Sequence, residues 1–364
     1  MEKLIVSFFP SYDLNKPYWY REGWQIWYQF MVEKWFKSEV WALKRKWQEN
    51  FTIRWQSWIW FKNLVYIYLR LFLRRKDINV LHIMHVNFSS LLSSIIYKIC
   101  NSKGVIYCKM DSPLTEEDKD KREKIRRIPW FVRKILFNKI DYFGFEDKIL
   151  QEFYISEYTK YKNHFLFTTS WFLAEPNIIW DLPKKNRIVL VWRFGVYQKN
   201  NEILLEMLKK LDCSFMEDRE IYFCGWMTDE FKKKLEYLKK DNERIVQHVH
   251  EMGFLNHDEL YWLLKTCKIF LHTARFEGDP NIQYDALYTG CFFTSTDIAN
   301  IKQNYPGDYC LFFEQNDVEK LKIALKKSID IVNSFTKKDF LNIQDYWLKH
   351  FQWKFTLKEI LDKF

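Results

Sequence analysis

Two acidic residues near position 280 have the types and the spacing of groups that bind a polyhydroxylated ligand. Glu277 is followed by seven residues and then by Asp285. The segment between them begins with Gly278, Asp279, Pro280 and Asn281. Asp is favourable at a helix N-cap and Pro in the first turn, so we expect a helix to begin at Asp279 or Pro280. Glu277 would then precede the helix, and Asp285 would lie about two turns into it.

The residues around this helix predict an anion-binding edge. An apolar run over Ile269–Thr273 indicates a buried strand just before Glu277, and Gly290 suits the C-terminal cap of the helix. Ligands of open α/β sheets bind at the carboxyl ends of the strands, where free N–H groups of a first helical turn attract anions. Two carboxylates beside such a helix suit a nucleotide sugar. The alternative is that Glu277 caps the helix and Asp285 is a solvated surface acid.

The elements that must position these residues follow a two-domain α/β pattern. Short apolar runs alternate with amphipathic stretches, which is typical of buried parallel strands and crossover helices. The runs are 4–9, 80–86, 105–110, 142–145 and 165–168, then 188–192, 221–224, 269–273, 292–294 and 310–313. A proline-containing stretch over 174–186 indicates a linker. We therefore predict an N-terminal domain at 1–172, a C-terminal domain at 186–345, and an amphipathic helix at 346–364 that packs back toward the N-terminal domain.

The composition excludes several classes of protein. The chain of 364 residues is 48% hydrophobic with only 9 Gly and 8 Pro, which excludes collagen-like and low-complexity proteins. Its seven Cys form no C-x-x-C pair, so we expect reduced thiols and no cysteine-based zinc site. No secretory signal follows Met1, and the apolar stretch Trp55–Leu73 contains Lys62 and Arg70, so we expect a cytoplasmic protein without a spanning helix.

The positive charge is concentrated in the first half of the chain. The net charge is +10, and residues 33–76 hold eleven Lys or Arg against three acids. Such a half favours an anionic partner: a phosphorylated substrate or an anionic membrane surface. No nucleic-acid motif is present, so nucleic acid is not expected as a partner. The cationic and aromatic stretch 126–137 suits either a helix on an anionic bilayer or one that packs its Trp into the domain.

With these elements in place, the second half of the chain resembles the retaining, nucleotide-sugar-dependent glycosyltransferases of the GT-B fold, carbohydrate-active enzyme family four. Glu277 and Asp285 resemble the E-x7-E motif of that family, within the stretch Arg275–Gly290. The stretch from Ile188 through Arg193 to Lys199 resembles its phosphate-binding loop, and Ile221–Gly225 its next strand and glycine turn. The resemblance covers about 187–300.

The resemblance implies two Rossmann-like domains whose parallel sheets face an interdomain cleft, with the donor bound by the second. Arg193 and Lys199 would bind the donor diphosphate, and Glu277 would contact the sugar, so these three are the expected catalytic residues. Asp285 would bind the ribose hydroxyls. The other expected donor-binding residues are Gly225, Gly278, Asp279, Pro280 and Asn281. The resemblance implies no cofactor, since the nucleotide sugar is a substrate. It also implies no metal, since Arg, Lys and a helix start stabilise the leaving diphosphate in this fold.

The sequence departs from the family at three places. Asp285 is one methylene shorter than the usual Glu, and Trp192 stands where the family has Gly, before a loop one residue longer than usual. The run Tyr107–Asp111 lacks the family's His, for which Lys109 or Asp111 could substitute.

We therefore expect a cytoplasmic enzyme, peripheral to the inner face of the membrane. It would transfer a sugar to a glycan or lipid-linked acceptor in bacterial surface polysaccharide or lipopolysaccharide biosynthesis. The alternatives are a catalytically silent nucleotide-binding subunit and a nucleotide-sugar epimerase of the same fold.

Overall fold

The structure is a computed structural model with two compact units, and the chain passes from the first to the second between Trp171 and Phe172. It describes residues 3–9, 36–43, 51–53, 56–99, 101–110, 123, 129–168, 183–210, 215, 218–302 and 307–351. Three predicted features lie wholly or mostly outside these residues: the linker at 174–186, the chain after Phe351, and the candidate Asp111. The linker was predicted to reach 186, but a strand begins at Lys185, so the C-terminal end of the predicted linker is wrong.

The first unit holds an eight-stranded sheet in the order β3-β4-β2-β1-β5-β6-β7-β8. Its strands are β1 Lys3–Phe9, β2 Phe36–Leu43, β3 Phe51–Ile53, β4 Gln56–Phe61, β5 Val80–Met84, β6 Val105–Met110, β7 Tyr142–Phe145 and β8 Phe165–Phe167. Its helices are α1 Leu64–Arg74, α2 Phe88–Lys98, α3 Trp130–Lys139 and α4 Lys148–Glu157, with a 3-10 turn at Thr159–His164. Neighbouring strands are parallel except for the β3–β4 edge pair, so the sheet has the pattern predicted for a Rossmann-like domain.

Strands β2, β3 and β4 were not predicted, and β2 shows why. Its sequence contains Lys37 and Glu39, which interrupt the apolar run expected of a buried strand. Glu39 is nevertheless buried, because Nη1 of Arg74 lies 2.8 Å from its carboxylate and Nε1 of Trp41 donates a 2.8 Å hydrogen bond to it. A buried charge with two partners is tolerated inside a sheet, and no hydropathy pattern reveals those partners.

The second unit is a six-stranded parallel sheet in the order β11-β10-β9-β12-β13-β14. Its strands are β9 Lys185–Val191, β10 Glu220–Cys224, β11 Val249–Gly253, β12 Cys267–His272, β13 Phe292–Thr296 and β14 Cys310–Phe313. Its helices are α5 Glu202–Lys209, α6 Asp229–Asp241, α7 Glu243–His248, α8 His257–Thr266, α9 Asn281–Tyr288, α10 Ala299–Lys302, α11 Val318–Ser334 and α12 Lys337–His350. This is the doubly wound order 3-2-1-4-5-6, whose direction reverses between β9 and β12. The carboxyl ends of these two strands therefore form the expected binding edge.

The predicted C-terminal helix begins earlier than expected. The residues from Tyr346 to His350 are the last turns of α12, which starts at Lys337. This helix packs on α9 of the second unit: the rings of Tyr288 and Trp347 lie 5.0 Å apart, and Trp347 is fully buried. The large ring of Trp347 anchors the helix to that unit, so the boundary predicted at 345 cuts through a single helix.

Candidate functional site

Lys199 and Glu277 form a buried ion pair at the carboxyl edge of the second sheet. The Nζ of Lys199 contacts Oε1 of Glu277, and each residue is only 8% exposed. Lys199 ends a 3-10 turn, Tyr197–Lys199, that follows β9, whereas Glu277 follows β12. Because β9 and β12 are hydrogen-bonded neighbours, two residues 78 positions apart in sequence meet at the point where the strand order reverses.

Hydrogen bonds to backbone carbonyls hold the two loops of this edge together. The Oγ1 of Thr273 donates a 2.8 Å hydrogen bond to the carbonyl of Lys199. The backbone N–H of Arg275 donates a 2.8 Å bond to the carbonyl of Gln198, and its guanidinium donates to the carbonyl of Tyr197. Asn200 then takes a left-handed conformation with φ of 50°, which Asn tolerates better than most residues. Lys199 is thus positioned by the loop after β12, which also carries Glu277.

Gln198 connects the ion pair to Arg193. Its Nε2 lies 3.3 Å from Oε2 of Glu277 and 3.2 Å from the carbonyl of Phe276. Nη2 of Arg193 lies 3.5 Å from Oε1 of the same glutamine. The structure therefore brings together the three predicted residues Arg193, Lys199 and Glu277. Gln198 was missed, although its position directly before Lys199 was the available signal.

Trp192 covers the ammonium group of Lys199. The Nζ atom lies 4.3 Å from the centroid of the Trp192 ring, a cation–π distance. The rings of His272 and Phe270 also lie beside Trp192, His272 at 4.7 Å in an edge-on arrangement and Phe270 at 6.1 Å. His272 is fully buried, and burial followed by the nearby Lys199 charge lowers its pKa well below the usual value, so its imidazole is neutral. Trp192, which stands where the family has Gly, thus contacts Lys199 of the predicted site.

Burial and pairing act in opposite directions on the ion pair. Burial lowers the pKa of Lys199 and raises the pKa of Glu277, because both charged forms lose water. The attraction between the two groups opposes both shifts. Arg193, which is exposed, lowers the pKa of each. The site therefore offers one exposed cation and one paired cation to an anionic ligand, with a carboxylate that can accept hydrogen bonds from hydroxyl groups.

Helix α9 begins later than predicted. It starts at Asn281, and Pro280 occupies the N-cap position without a side-chain hydrogen bond. Asp279 is therefore not the N-cap. Its Oδ1 accepts hydrogen bonds from Nε2 of Gln283 at 2.5 Å and from the hydroxyl of Tyr284 at 2.6 Å, so its carboxylate binds side chains of the first turn. Gly278, the remaining residue of the predicted group, lies in the loop before the helix.

The C-terminal end of α9 is as predicted. Gly290 has φ of +76°, and its N–H donates to the carbonyl of Leu287 while the N–H of Cys291 donates to that of Ala286. This pair of bonds is a Schellman motif, which requires a left-handed residue after the helix. A Cβ at position 290 would lie 2.7 Å from the carbonyl oxygen of Phe340 in α12, so the turn also needs a residue without a side chain.

Asp285 is fully buried inside the second unit. Its Oδ1 accepts a 2.7 Å hydrogen bond from the hydroxyl of Tyr261, which lies on α8. The residue lies in the second turn of α9, near the place expected from its spacing to Glu277. It is not the solvated surface acid of the alternative hypothesis, and it differs from Arg193 in having no exposed surface. Tyr261 is a further residue that the sequence did not single out.

Gly225 supports the same edge through its backbone. It follows β10 with φ of +128°, a region that favours glycine. A Cβ there would lie 2.0 Å from the carbonyl oxygen of Trp192, so only glycine allows the ends of β9 and β10 to approach this closely. Gly225 thus has a structural role, because it allows the backbone of Trp192 to lie close to the end of β10. Its role in donor binding stays a prediction.

The corresponding edge of the first unit contains a second buried ion pair. The Nζ of Lys109, at the end of β6, lies 2.7 Å from Oε1 of Glu146, and both residues are buried. His82 on β5 is fully buried with Nδ1 3.2 Å from Oγ of Ser7, and burial followed by Lys109 lowers its pKa to about 3. Lys109, one of the two expected substitutes for the missing histidine, is therefore paired with an acid.

In the described parts of the chain, no three His, Cys, Asp or Glu side chains lie close enough together to hold a metal ion. Within the same parts, no helix is both long enough and apolar enough to cross a membrane. That the reaction needs no cofactor stays a prediction.

Solved structures share this fold along the whole chain. HepE of Anabaena in complex with UDP is 10% identical with a TM-score of 0.70, and the superposition covers 100% of this chain and 99% of HepE. The lipopolysaccharide outer core galactosyltransferase WaaB, in its apo form, is 14% identical with a TM-score of 0.64 and coverage of 99% and 100%. A structure described as trehalose-6-phosphate from E. coli bound with UDP-2-fluoro glucose is 10% identical with a TM-score of 0.68 and coverage of 99% and 98%.

A family model gives the relationship at the level of sequence. Residues 176–332, which include Arg193, Lys199, Glu277 and Asp285, match the model for glycosyl transferases group 1. No curated protein sequence matches the chain. The predicted fold class and the predicted resemblance are both confirmed. The chain thus has the GT-B fold, and its residues 176–332 match the model for glycosyl transferases group 1.

Proposed function

We propose that the second unit binds a nucleotide sugar at the carboxyl edge of its sheet and that the chain transfers the glycosyl group with retention of configuration. The observation that carries this proposal is the cluster of Arg193, Gln198, Lys199 and Glu277 at the ends of β9 and β12. Two cations and a carboxylate at a switch point match a ligand with an anionic part and a hydroxylated part.

In this proposal the cations of the cluster bind the diphosphate part of the donor and the carboxylate binds the sugar. Arg193 and Lys199 bind the diphosphate, and they stabilise the negative charge that grows on it as the bond to the sugar breaks. Glu277 accepts hydrogen bonds from sugar hydroxyls. The backbone of Gly278 to Asn281, which ends at the start of α9, binds sugar and phosphate.

Asp285 needs a structural change to bind the ribose directly, since its carboxylate is buried against Tyr261. In the present arrangement it positions α9 instead. We therefore assign the donor contacts to the loop residues first and to Asp285 second.

A uridine diphosphate sugar is the donor class that we propose. Support comes from two of the solved structures with this fold, which contain UDP in one case and UDP-2-fluoro glucose in the other. The acceptor that we propose is a glycan or a lipid-linked glycan of bacterial surface polysaccharide or lipopolysaccharide. WaaB shares the fold, and the basic first half of the chain suits an acceptor that carries phosphate.

The test is to incubate the full chain with a mixture of nucleotide sugars and identify the retained species by mass spectrometry, followed by turnover assays with the retained donor. The proposal predicts selective retention of one donor and its consumption when acceptor is added, with the anomeric configuration kept. Nucleotide binding without any turnover would instead favour a silent binding subunit. Conversion of the donor to an epimer without acceptor would favour an epimerase.

A further inference from the structure

Helix α1 of the first unit exposes an apolar face. Its inner side chains, Ile67 and Leu71, are fully buried against the core. Five large apolar side chains on the other side are exposed: Val65 at 72%, Tyr66 at 56%, Leu69 at 48%, Phe72 at 40% and Leu73 at 67%. At 100° per residue they occupy one arc of about 120°, and no charged residue of the helix lies within it. We call these five side chains the α1 arc.

An exposed arc of this kind is unusual for a globular protein. A surface helix normally carries polar residues on its outer face, and contiguous exposed apolar surface marks a site of interaction. The arc also lies within the long apolar stretch Trp55–Leu73, whose described residues include no helix able to span a membrane. Since α1 has 11 residues, it is about 16 Å long, too short to cross a bilayer and long enough to lie along its surface.

The charges around the arc identify the partner. Residues 62–76 contain five Lys or Arg and no acid. Lys62 and Lys76 are exposed at the two ends of α1. At the C-terminal end, the guanidinium of Arg75 lies 4.0 Å from the centroid of the Phe72 ring, at the border of the arc. Cations that flank an apolar face are the pattern of a helix in the interface of an anionic bilayer.

Among the described residues, two acids close to α1 are paired with Arg74. Glu39 lies 2.8 Å from Nη1 of Arg74, and Asp77 lies 3.5 Å from Nε of the same residue. At the C-terminal end of α1, the carbonyl of Ile99 accepts a 2.8 Å hydrogen bond from Nε of Arg75. The side chain of Ile99 is 45% exposed and adds to the apolar surface at that end. The region therefore presents apolar groups and cations together, with its acids turned toward Arg74.

We infer that α1 docks the chain on an anionic lipid surface, with the α1 arc inserted among the acyl chains and Lys62, Arg75 and Lys76 beside the lipid phosphates. None of the residues of α1 belongs to the proposed donor contacts, which lie in the second unit. We commit to a lipid surface rather than a protein partner because cations at both ends of an apolar face match the headgroups of an anionic bilayer.

The experiment is co-sedimentation of the full chain with vesicles of phosphatidylcholine alone and of phosphatidylcholine mixed with phosphatidylglycerol. We expect binding to the mixed vesicles that weakens with added salt. The variant Leu69→Gln/Leu73→Gln removes two exposed side chains and should weaken binding at least about tenfold. The matched control is Ile323→Gln, an exposed apolar residue of the second unit at 51%, which should bind like the parent chain.

A charge variant tests the contribution of the flanking cations. Lys62→Gln/Lys76→Gln should lose the preference for phosphatidylglycerol while nucleotide binding is kept, which also shows that the protein is folded. The inference is overturned if the parent chain does not bind the mixed vesicles. It is likewise overturned if the Leu69→Gln/Leu73→Gln variant binds them as well as the parent chain does. It is also overturned if those two substitutions convert a dimer to a monomer in sedimentation velocity, because the arc would then be an interface between copies.

Discussion

The ammonium of Lys199 lies 4.3 Å from the centre of the Trp192 ring while it contacts the carboxylate of Glu277. The aromatic face and the carboxylate together determine where this cation lies. Trp192 therefore acts on the proposed donor site through Lys199.

Replacing Trp192 with Leu should weaken nucleotide binding roughly 2- to 30-fold, which corresponds to the loss of one cation–π contact. Trp192→Phe keeps an aromatic face and should stay close to the parent. Isothermal titration with UDP measures both. Equal affinity of the Leu variant and the parent would show that the ring does not position Lys199.

The variant Glu277→Ala should lower turnover at least about 100-fold, a typical loss for a group that stabilises the reacting centre. Glu319→Ala is the matched control, because Glu319 pairs with Lys210 at the surface of the same unit. Steady-state rates with the identified donor measure the effect. Full activity in a folded Glu277→Ala protein would remove this residue from the site.

Replacing Lys199 with Ala should weaken nucleotide binding and leave the carboxylate of Glu277 buried without its partner. The expected loss of stability is about 3–5 kcal/mol, the range for breaking a buried ion pair on one side. Lys210→Ala, at an exposed pair, should cost no more than about 1 kcal/mol. Urea unfolding and UDP titration measure the two quantities. An unaltered dissociation constant for UDP would exclude Lys199 as a diphosphate ligand.

The hydrogen bond from Tyr261 to Asp285 should contribute to stability more than to chemistry. Tyr261→Phe leaves a buried carboxylate with one partner fewer, so we expect the free energy of unfolding to fall by about 1–3 kcal/mol. Tyr237→Phe, at a side chain that is 66% exposed, serves as the control. A large loss of UDP affinity at unchanged stability would instead place Asp285 in direct contact with the donor.

The pH range in which the chain is active should be narrower than the range expected from a Glu and a Lys with ordinary pKa values. Burial raises the pKa of Glu277 above its usual 4.5, so its carboxylate protonates, and activity falls, at a higher pH on the acid side. Burial lowers the pKa of Lys199 below its usual 10.5, so activity falls at a lower pH on the alkaline side. Rates from about pH 4 to 11 in the parent and in Glu277→Gln test this, and an acid limb at the ordinary carboxyl pKa would contradict it.

Much of the second sheet was predictable because its signal is local. The apolar run at 310–313 coincides with β14, and the run at 221–224 misses only the first residue of β10. Asp279 was wrongly predicted as an N-cap. An Asp is favourable at an N-cap, but Pro280 occupies that position. The carboxylate of Asp279 accepts hydrogen bonds from Gln283 and Tyr284, and these partners depend on the path of the loop before α9.

The alternation of strands and helices, the turn at Gly290 and the two acids separated by seven residues were all evident from the amino-acid pattern, since each depends on neighbours along the chain. The partner of each acid was not. Glu277 meets Lys199 from a loop 78 positions away, and Asp285 meets Tyr261 on another helix. Strand order and helix packing set those contacts. A side chain's partner across a sheet is a property of the fold, which the local sequence does not encode.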